Sequence, residues 1–311
     1  MNLPESVTIV EVGPRDGLQA RAAFVPTDKK IALVDALSET GLATVEVTSF
    51  VSPRAVPQLA DADEVMKGIQ RKKGVRYRVL VPNLVGARRA VESEADEINF
   101  VLSASETFNR NNVRRSVEES LREFQALTDY LRTEEIKRIS VSLATSFGCP
   151  FEGKIAPGKV VTLAKRLRDS GATGIVLADT TGMANPAGVE ELLDALSHEL
   201  TMDEVAVHFH NTRGTGLANA LSALQRGVAI FEGCVGGMGG CPFAPGATGN
   251  VPTEDMVNMF EEMGIETGVN LPKLLACAKL AEEMVGEELP GQVMKAGRSC
   301  DLHSFPSSSR A

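Results

Sequence analysis

The sequence predicts an α/β protein, a (β/α)8 or TIM barrel with extra C-terminal helices, and three observations carry that reading. Short β-branched runs alternate with longer amphipathic stretches along the 311-residue chain, and such alternation implies a parallel sheet with helices outside it. Eight strand–helix units can be counted at the spacing of a βα repeat, which favours a closed barrel over an open sheet. No GxGxxG follows the first strand, so the dinucleotide-binding alternative loses its main signal.

Taken in order, the strands are read at 7–12, 43–47, 77–81, 97–102, 138–143, 174–178, 204–208 (with an extension to 210) and 228–233. Several are continuous apolar runs, as strands covered on both faces should be. The helix at 27–40 opens with Thr27 as its N-cap and ends before Gly41. The helix at 157–170 starts with Pro157 in its first turn and ends at Gly171, and the helix at 186–200 starts with Pro186 in the same way. Beyond the eighth unit, 271–286 and 290–297 read as additional helices. No linker divides residues 1–303, which are taken as one domain. The Ser-rich stretch 304–311 is expected to be disordered.

Composition removes several function classes. The chain is 43% hydrophobic and 23% charged, with a net charge of −9, a balance suited to a soluble protein and not to nucleic acid as main partner. No basic, apolar leader and no window of ~20 apolar residues is present, so no membrane is expected and the setting is read as cytoplasmic. The five cysteines are odd in number and form no CxxC pair, which argues against a disulfide or zinc framework.

The polar residues that need explaining follow strands. In barrels that end of the strands gathers catalytic groups. His208 and His210 sit two apart at the end of the seventh strand, so both imidazoles share one face and can reach one ion. Two structural histidines would look the same in sequence. Asp16, after the first strand, can supply a carboxylate, although Asp before Gly is also common in turns. Arg15 beside it suits a developing oxyanion, because its fork donates two hydrogen bonds and stays charged; a surface arginine is the alternative. Glu46 lies inside an apolar strand and needs a cation, Arg15 or another, to be buried there. Asp179 ends the sixth strand. Between Gly233 and Gly249 there are seven glycines around Cys241-Pro242-Phe243. Such a segment can be a lid that carries a thiol, or a plain connection. Asn250 closes it. Cys149, Cys234, Cys277 and Cys300 are given structural readings.

Here the chain resembles a known family. VGPRDGLQ from Val12 to Gln19 resembles the opening motif of the metal-dependent lyase barrels, a group that includes isopropylmalate and homocitrate synthases. GGCPFA from Gly239 with Gly249-Asn250, EVTSFVSP from Glu46, and GCPFEGK from Gly148 resemble the 3-hydroxy-3-methylglutaryl-CoA lyases in particular. The likeness runs over about 7–275. It implies cleavage of an acyl-CoA substrate to acetyl-CoA and acetoacetate. It also implies metal ligation by Asp16, His208, His210 and Asn250, with Mg2+ or Mn2+ suiting two nitrogens and two oxygens. Arg15 would stabilise the thioester enolate and Cys241 would be the catalytic thiol. The base is Asp16 or His208, and Glu46 and Asp179 are supporting acidic residues. A homodimer acting in leucine or related branched-acid breakdown is implied by the same resemblance.

The chain departs from the pattern at two places. His210-Asn211-Thr212-Arg213-Gly214 replaces a typical His-Asp-Thr-Tyr-Gly, and Glu232-Gly233-Cys234 replaces Asp-Ser-Ser. Arg213 is expected near the mouth, as an added positive charge able to bind another carboxylate or a phosphate. The polar residues that the family can place near Gly286 and Glu288 have no clear match. These differences leave open a related branched 3-hydroxyacyl-CoA as substrate. A condensing synthase of the same superfamily and a non-catalytic acyl-CoA-binding barrel are the other readings. The Cys241 segment favours a lyase over a synthase, and the full metal set favours an enzyme over a scaffold.

Overall fold

Eight parallel strands close on themselves in chain order in the computed structural model, which describes residues 3–240 and 249–302. They are β1 (Thr8–Glu11), β2 (Thr44–Ser49), β3 (Arg76–Val81), β4 (Glu97–Ser103), β5 (Arg138–Ala144), β6 (Gly174–Asp179), β7 (Val205–Phe209) and β8 (Ile230–Gly233). The ring closes where Thr8 to Glu11 pair with Ile230 to Gly233. Every strand read from the sequence is present, with ends shifted by a few residues. β1 stops early because Val12 feeds a π-helical turn, Gly13–Gly17. β2 runs on to Ser49 through a bulge between Glu46 and Thr48.

Alternation along the strands sorts side chains into two layers. Ile9, Val45, Val79, Ile98, Phe100, Val141, Leu177, Val207 and Phe231 are buried beneath the helices. Many inward positions are polar instead, among them Glu46, Arg78, Asn99, Ser142, His208 and Glu232, all buried. An apolar shell therefore holds the fold while the barrel interior is free to carry chemistry.

The outer helices are α1 (Thr27–Ser38), α2 (Ala62–Gly68), α3 (Leu84–Glu92), α4 (Glu106–Val113), α5 (Val117–Leu131), α6 (Pro157–Asp169), α7 (Pro186–Leu196), α8 (Gly216–Gln225) and α9 (Thr253–Glu262), followed by α10 (Leu271–Val285) and α11 (Val293–Ala296). Thr27 is not a cap. It is the first helical residue, after Pro26, and its hydroxyl donates to Asp61 Oδ2 at 2.7 Å. α6 and α7 do begin with proline, and Asn185 caps α7 by accepting from Gly188 N at 3.1 Å. The β4–α5 connection holds the unforeseen α4, whose N-cap Ser105 accepts from Phe108 N at 3.0 Å. Among the described residues, no helix is long and apolar enough to cross a membrane. Residues 304–311, expected as a disordered tail, lie outside the described residues.

Two buried carboxyls lie between β1 and α9. Glu11 accepts from Gly13 N (2.6 Å), Val235 N (2.8 Å) and the Thr253 hydroxyl (2.6 Å). Burial nevertheless pushes it up to about 7. Glu254 accepts from Gly236 N at 3.0 Å, its Oε1 has no partner, and burial pushes it up to about 8. A carboxyl raised on folding binds more protons folded than unfolded. Its contribution to stability is therefore fully present below its ordinary value of 4.5 and declines until the pH passes its folded value. Glu254→Gln, which keeps an oxygen for Gly236 N, is expected to flatten the fall of Tm between pH 5 and pH 8. An unchanged slope would place the pH dependence elsewhere.

Candidate active site

The π-helical turn after β1 aims two side chains at the barrel mouth. Arg15 N and Asp16 N both bond to Val12 O, at 3.1 and 2.7 Å. Gly13 lets this turn close, because a Cβ there would stand 2.7 Å from Glu11 Oε1. Such single π turns favour functional positions. Arg15 is buried, and its Nη1 donates to Asp16 Oδ1 at 2.5 Å while its Nε donates to Glu46 Oε1. Glu46 is wholly buried, and its other oxygen meets Arg78 Nε at 2.6 Å and Asn99 Nδ2 at 2.8 Å. Glu46 thus has the cation its burial requires. It grips Arg15 from behind and does not line the cavity.

Asp16, His208 and His210 converge. One ligand atom from each lies within 4.8 Å of the others. His208 Nδ1 is held by Glu232 Oε2 at 3.0 Å, so Nε2 is left for an ion. His210 follows β7 in a bridge to Asn250, with its Nε2 4.0 Å from Asp16 Oδ2. Asn250 Nδ2 donates to Asp16 Oδ2 at 2.7 Å and to Met238 O at 3.0 Å, and its buried Oδ1 has no partner. Gly239 (φ +119°) passes close to this amide, and a Cβ there would strike Asn250 Nδ2. One carboxylate, two imidazoles and an orphaned amide oxygen are a donor set that fits a divalent cation.

Electrostatics agree. Burial would raise the Asp16 carboxyl, but Arg15 and both histidines hold it well below the usual carboxylate range. Burial would lower His208, but the hydrogen bond and charge of Glu232 raise it. His210 is pushed down to about 4 by burial and by His208, so it is a neutral imidazole, the form that ligates. Burial works against Glu232 too, yet Arg78 and His208 bring it down to about 2.

These groups open into a cavity of about 540 Å³. Arg15, Asp16, His208 and His210 occupy its inner end, beside Ser142 and Ala178. Phe108, Asn112 and Val113 from α4 form one wall. Arg54, Arg114 and Arg115 stand at its outer part, with Arg54 and Arg114 exposed.

The remaining expectations fare differently. Asp179 pairs in register with Phe209, whereas Ala178 pairs with His208, so Asp179 faces away from the cavity. Its Oδ1 accepts from Met183 N (2.7 Å) and Ala184 N (3.1 Å), and it organises the loop before α7. Burial pushes it up to about 6. Arg213 is not a free charge at the mouth. Its Nη1 donates to Gly182 O at 2.6 Å and Thr181 O at 3.1 Å, tying that loop to the one after β7. Cys241 lies outside the described residues, although Gly240 before it lines the cavity. Sequence reasoning missed Arg78 and saw Glu232 only as a departure. The available signal for Arg78 was the one that drew attention to Glu46, a charge inside an apolar strand.

Known proteins resemble this chain over nearly its whole length. The HMGL-like family matches residues 6–281. The hydroxymethylglutaryl-CoA lyase YngG of Bacillus subtilis is 45% identical over 299 residues, covering 96% of this chain and 100% of that one. The mitochondrial hydroxymethylglutaryl-CoA lyase of Rattus norvegicus is 46% identical over 300 residues, covering 96% and 91%. Among solved structures, an HMG-CoA lyase from Acinetobacter baumannii in complex with coenzyme A and 3-methylmalate superposes with a TM-score of 0.93. It is 46% identical, with 97% of this chain and 98% of that one covered.

Proposed function

The chain belongs to the HMGL-like family, and from that membership we infer that it is a carbon–carbon lyase cleaving 3-hydroxy-3-methylglutaryl-CoA to acetyl-CoA and acetoacetate. The observation that carries the reading is the convergence of Asp16, His208 and His210 on one point beside the Arg15 guanidinium, at the inner end of a cavity.

Asp16, His208, His210 and Asn250 would hold the ion, Mg2+ or Mn2+. When bound, the ion supplies positive charge that makes the substrate's C3 hydroxyl more acidic. The protein does the rest. A base at Asp16 takes the hydroxyl proton, because His208, with Nδ1 donating to Glu232 and Nε2 facing the ion, has no ring lone pair free for it. The C2–C3 bond breaks, C3 becomes the ketone carbon of acetoacetate, and the electron pair passes to C2 and the thioester oxygen. Arg15, already oriented by Glu46 and Asp16, donates to that oxygen. A proton returned to C2, assigned to Cys241, completes acetyl-CoA. The rim arginines Arg54 and Arg114 supply positive charge for the phosphates of coenzyme A in a chain that is acidic as a whole, while Arg115 is held by Pro82 O and Glu123. Assembly as a cytoplasmic homodimer acting in leucine or related branched-acid breakdown belongs to the same proposal. Sedimentation as a stable monomer at working concentration would reject the dimer.

The direct test is purified protein with Mg2+ or Mn2+ and the substrate, with both products followed by mass spectrometry. Equal, metal-dependent release of acetyl-CoA and acetoacetate is the expected result. No cleavage by metal-loaded protein would direct attention to other branched 3-hydroxyacyl-CoAs, and rapid condensation of acetyl-CoA with 2-oxo acids would favour a synthase. Arg54→Glu with Arg114→Glu is expected to raise KM about tenfold, the equivalent of one or two exposed charge contacts, and to leave kcat near wild type. An unaltered KM at low salt would remove the rim from the substrate's path.

A further inference from the structure

Beneath the cavity, five ionisable side chains from five successive parts of the barrel wall join in one buried arc. Arg15 Nε, in the turn after β1, bonds to Glu46 Oε1 on β2. Glu46 Oε2 meets Arg78 Nε on β3 at 2.6 Å. Arg78 Nη2 reaches across the barrel to Glu232 Oε1 on β8 at 2.6 Å, and Glu232 Oε2 meets His208 Nδ1 on β7 at 3.0 Å. Arg78 is 2% exposed, Glu46 0% and Glu232 3%. Glu97, whose Oε1 is 3.8 Å from Arg78 Nη1, takes the remaining edge of the guanidinium.

The arc has one group at its centre. Each of the two carboxylates uses one oxygen on Arg78 and the other on a group that lines the cavity. Glu46 thereby fixes the fork of Arg15, and Glu232 fixes the ring of His208 with Nδ1 as donor and Nε2 outward. We propose that Arg78 is a positioning residue that sets the oxyanion donor Arg15 and the metal ligand His208 together, through Glu46 and Glu232. A lysine cannot substitute, because a single ammonium lacks the planar fork that spans two carboxylates. The inference rests on the metal-lyase reading for its consequences, and on the ion pair of Arg78 with Glu46 and its hydrogen bond to Glu232 for its residues.

The test is direct titration of Mn2+ into purified, substrate-free protein by electron paramagnetic resonance, for wild type, Arg78→Met and Arg78→Lys. Nitrogen-15 spectra of the histidine rings accompany it, and with only four histidines in the chain the assignments are tractable. Mn2+ binding is expected to weaken about 10- to 100-fold, the range seen when a group that orients a metal ligand is lost. The His208 ring is expected to lose its single Nδ1–H form, and kcat to fall more than KM rises. Lys30→Met is the control. It breaks another buried pair, Lys30 Nζ to Asp61 Oδ1 at 2.6 Å, away from the cavity, and should lower Tm with Mn2+ affinity unchanged. Should Arg78→Met not fold, Arg78→Lys decides, since it retains the charge. Wild-type Mn2+ affinity and an unaltered His208 signal in a folded Arg78 variant would overturn the proposal. Failure of wild type itself to bind Mn2+ would instead overturn the metal reading.

Discussion

Arg15→Gln lowers kcat for cleavage by about 10³-fold while changing KM by far less. Glutamine keeps two donor hydrogens and much of the length, but it is neutral and cannot grip Glu46 and Asp16 at the same time. In the ground state the thioester oxygen carries little charge, and after C2–C3 cleavage it carries most of one. A donor whose interaction grows along that path acts on kcat, and loss of one such preorganised donor costs about 10² to 10³ in rate. The upper end applies because Arg15 is charged and 7% exposed, where water screens it little. Removing it also leaves Glu46 with Arg78 and Asn99 only, so a loss of about 3 kcal/mol in stability is expected as well. Arg15→Lys separates the effects. It returns charge to the pocket and recovers stability, but not the two-way grip, so kcat stays low. A large rise in KM with kcat intact would show that Arg15 merely binds the substrate.

The legible part of this site was the part encoded by local periodicity. His208 and His210 are two apart on a strand, and a two-residue repeat states which face they share wherever that strand lies. Asp16 and Arg15 were legible because they follow the first strand at the barrel end where side chains gather. Arg78 and Glu232 were not, because their meaning depends on which strands face each other across the closed barrel. Glu232 is 154 residues from Arg78, and only the closure of β1 against β8 brings them to 2.6 Å. Arg213 failed for a related reason. Its position near the mouth was read correctly, but its direction is set by the carbonyls of Thr181 and Gly182. Asp179 was placed at the right strand end, and the register of β6 on β7 turns it outward. Helix α4, which walls the cavity with Phe108, lay hidden in a connection where the strand pattern gave no cue.

Asp16→Asn should reduce metal affinity by more than about 100-fold and kcat by at least that much. Asp16 has three duties in one carboxylate: ligand, counter-charge to Arg15 and candidate base. Asparagine retains the shape and the oxygen, so the loss measures charge. With His208 neutral, Arg15, Arg76 and Arg78 stand against Asp16, Glu46, Glu97 and Glu232 in and at the edge of the buried cluster, which leaves a surplus of one negative charge. That surplus is what makes a dication welcome among buried cationic side chains, and Asp16→Asn abolishes it. Losing a positioning group alone costs about 10- to 100-fold in metal affinity, so losing a charged ligand should cost more. A general base adds a factor of about 10² or greater in rate. The stability outcome should be milder than for Arg15, since Asn250 and the backbone of the π turn still hold residue 16 in place. Calorimetric titration with Mg2+ and Mn2+ measures the affinity without turnover. If Asp16→Asn bound either ion as wild type does, the ion would not sit between Asp16 and the two histidines. His208 and His210 would then be buried structural histidines, as their spacing alone always allowed.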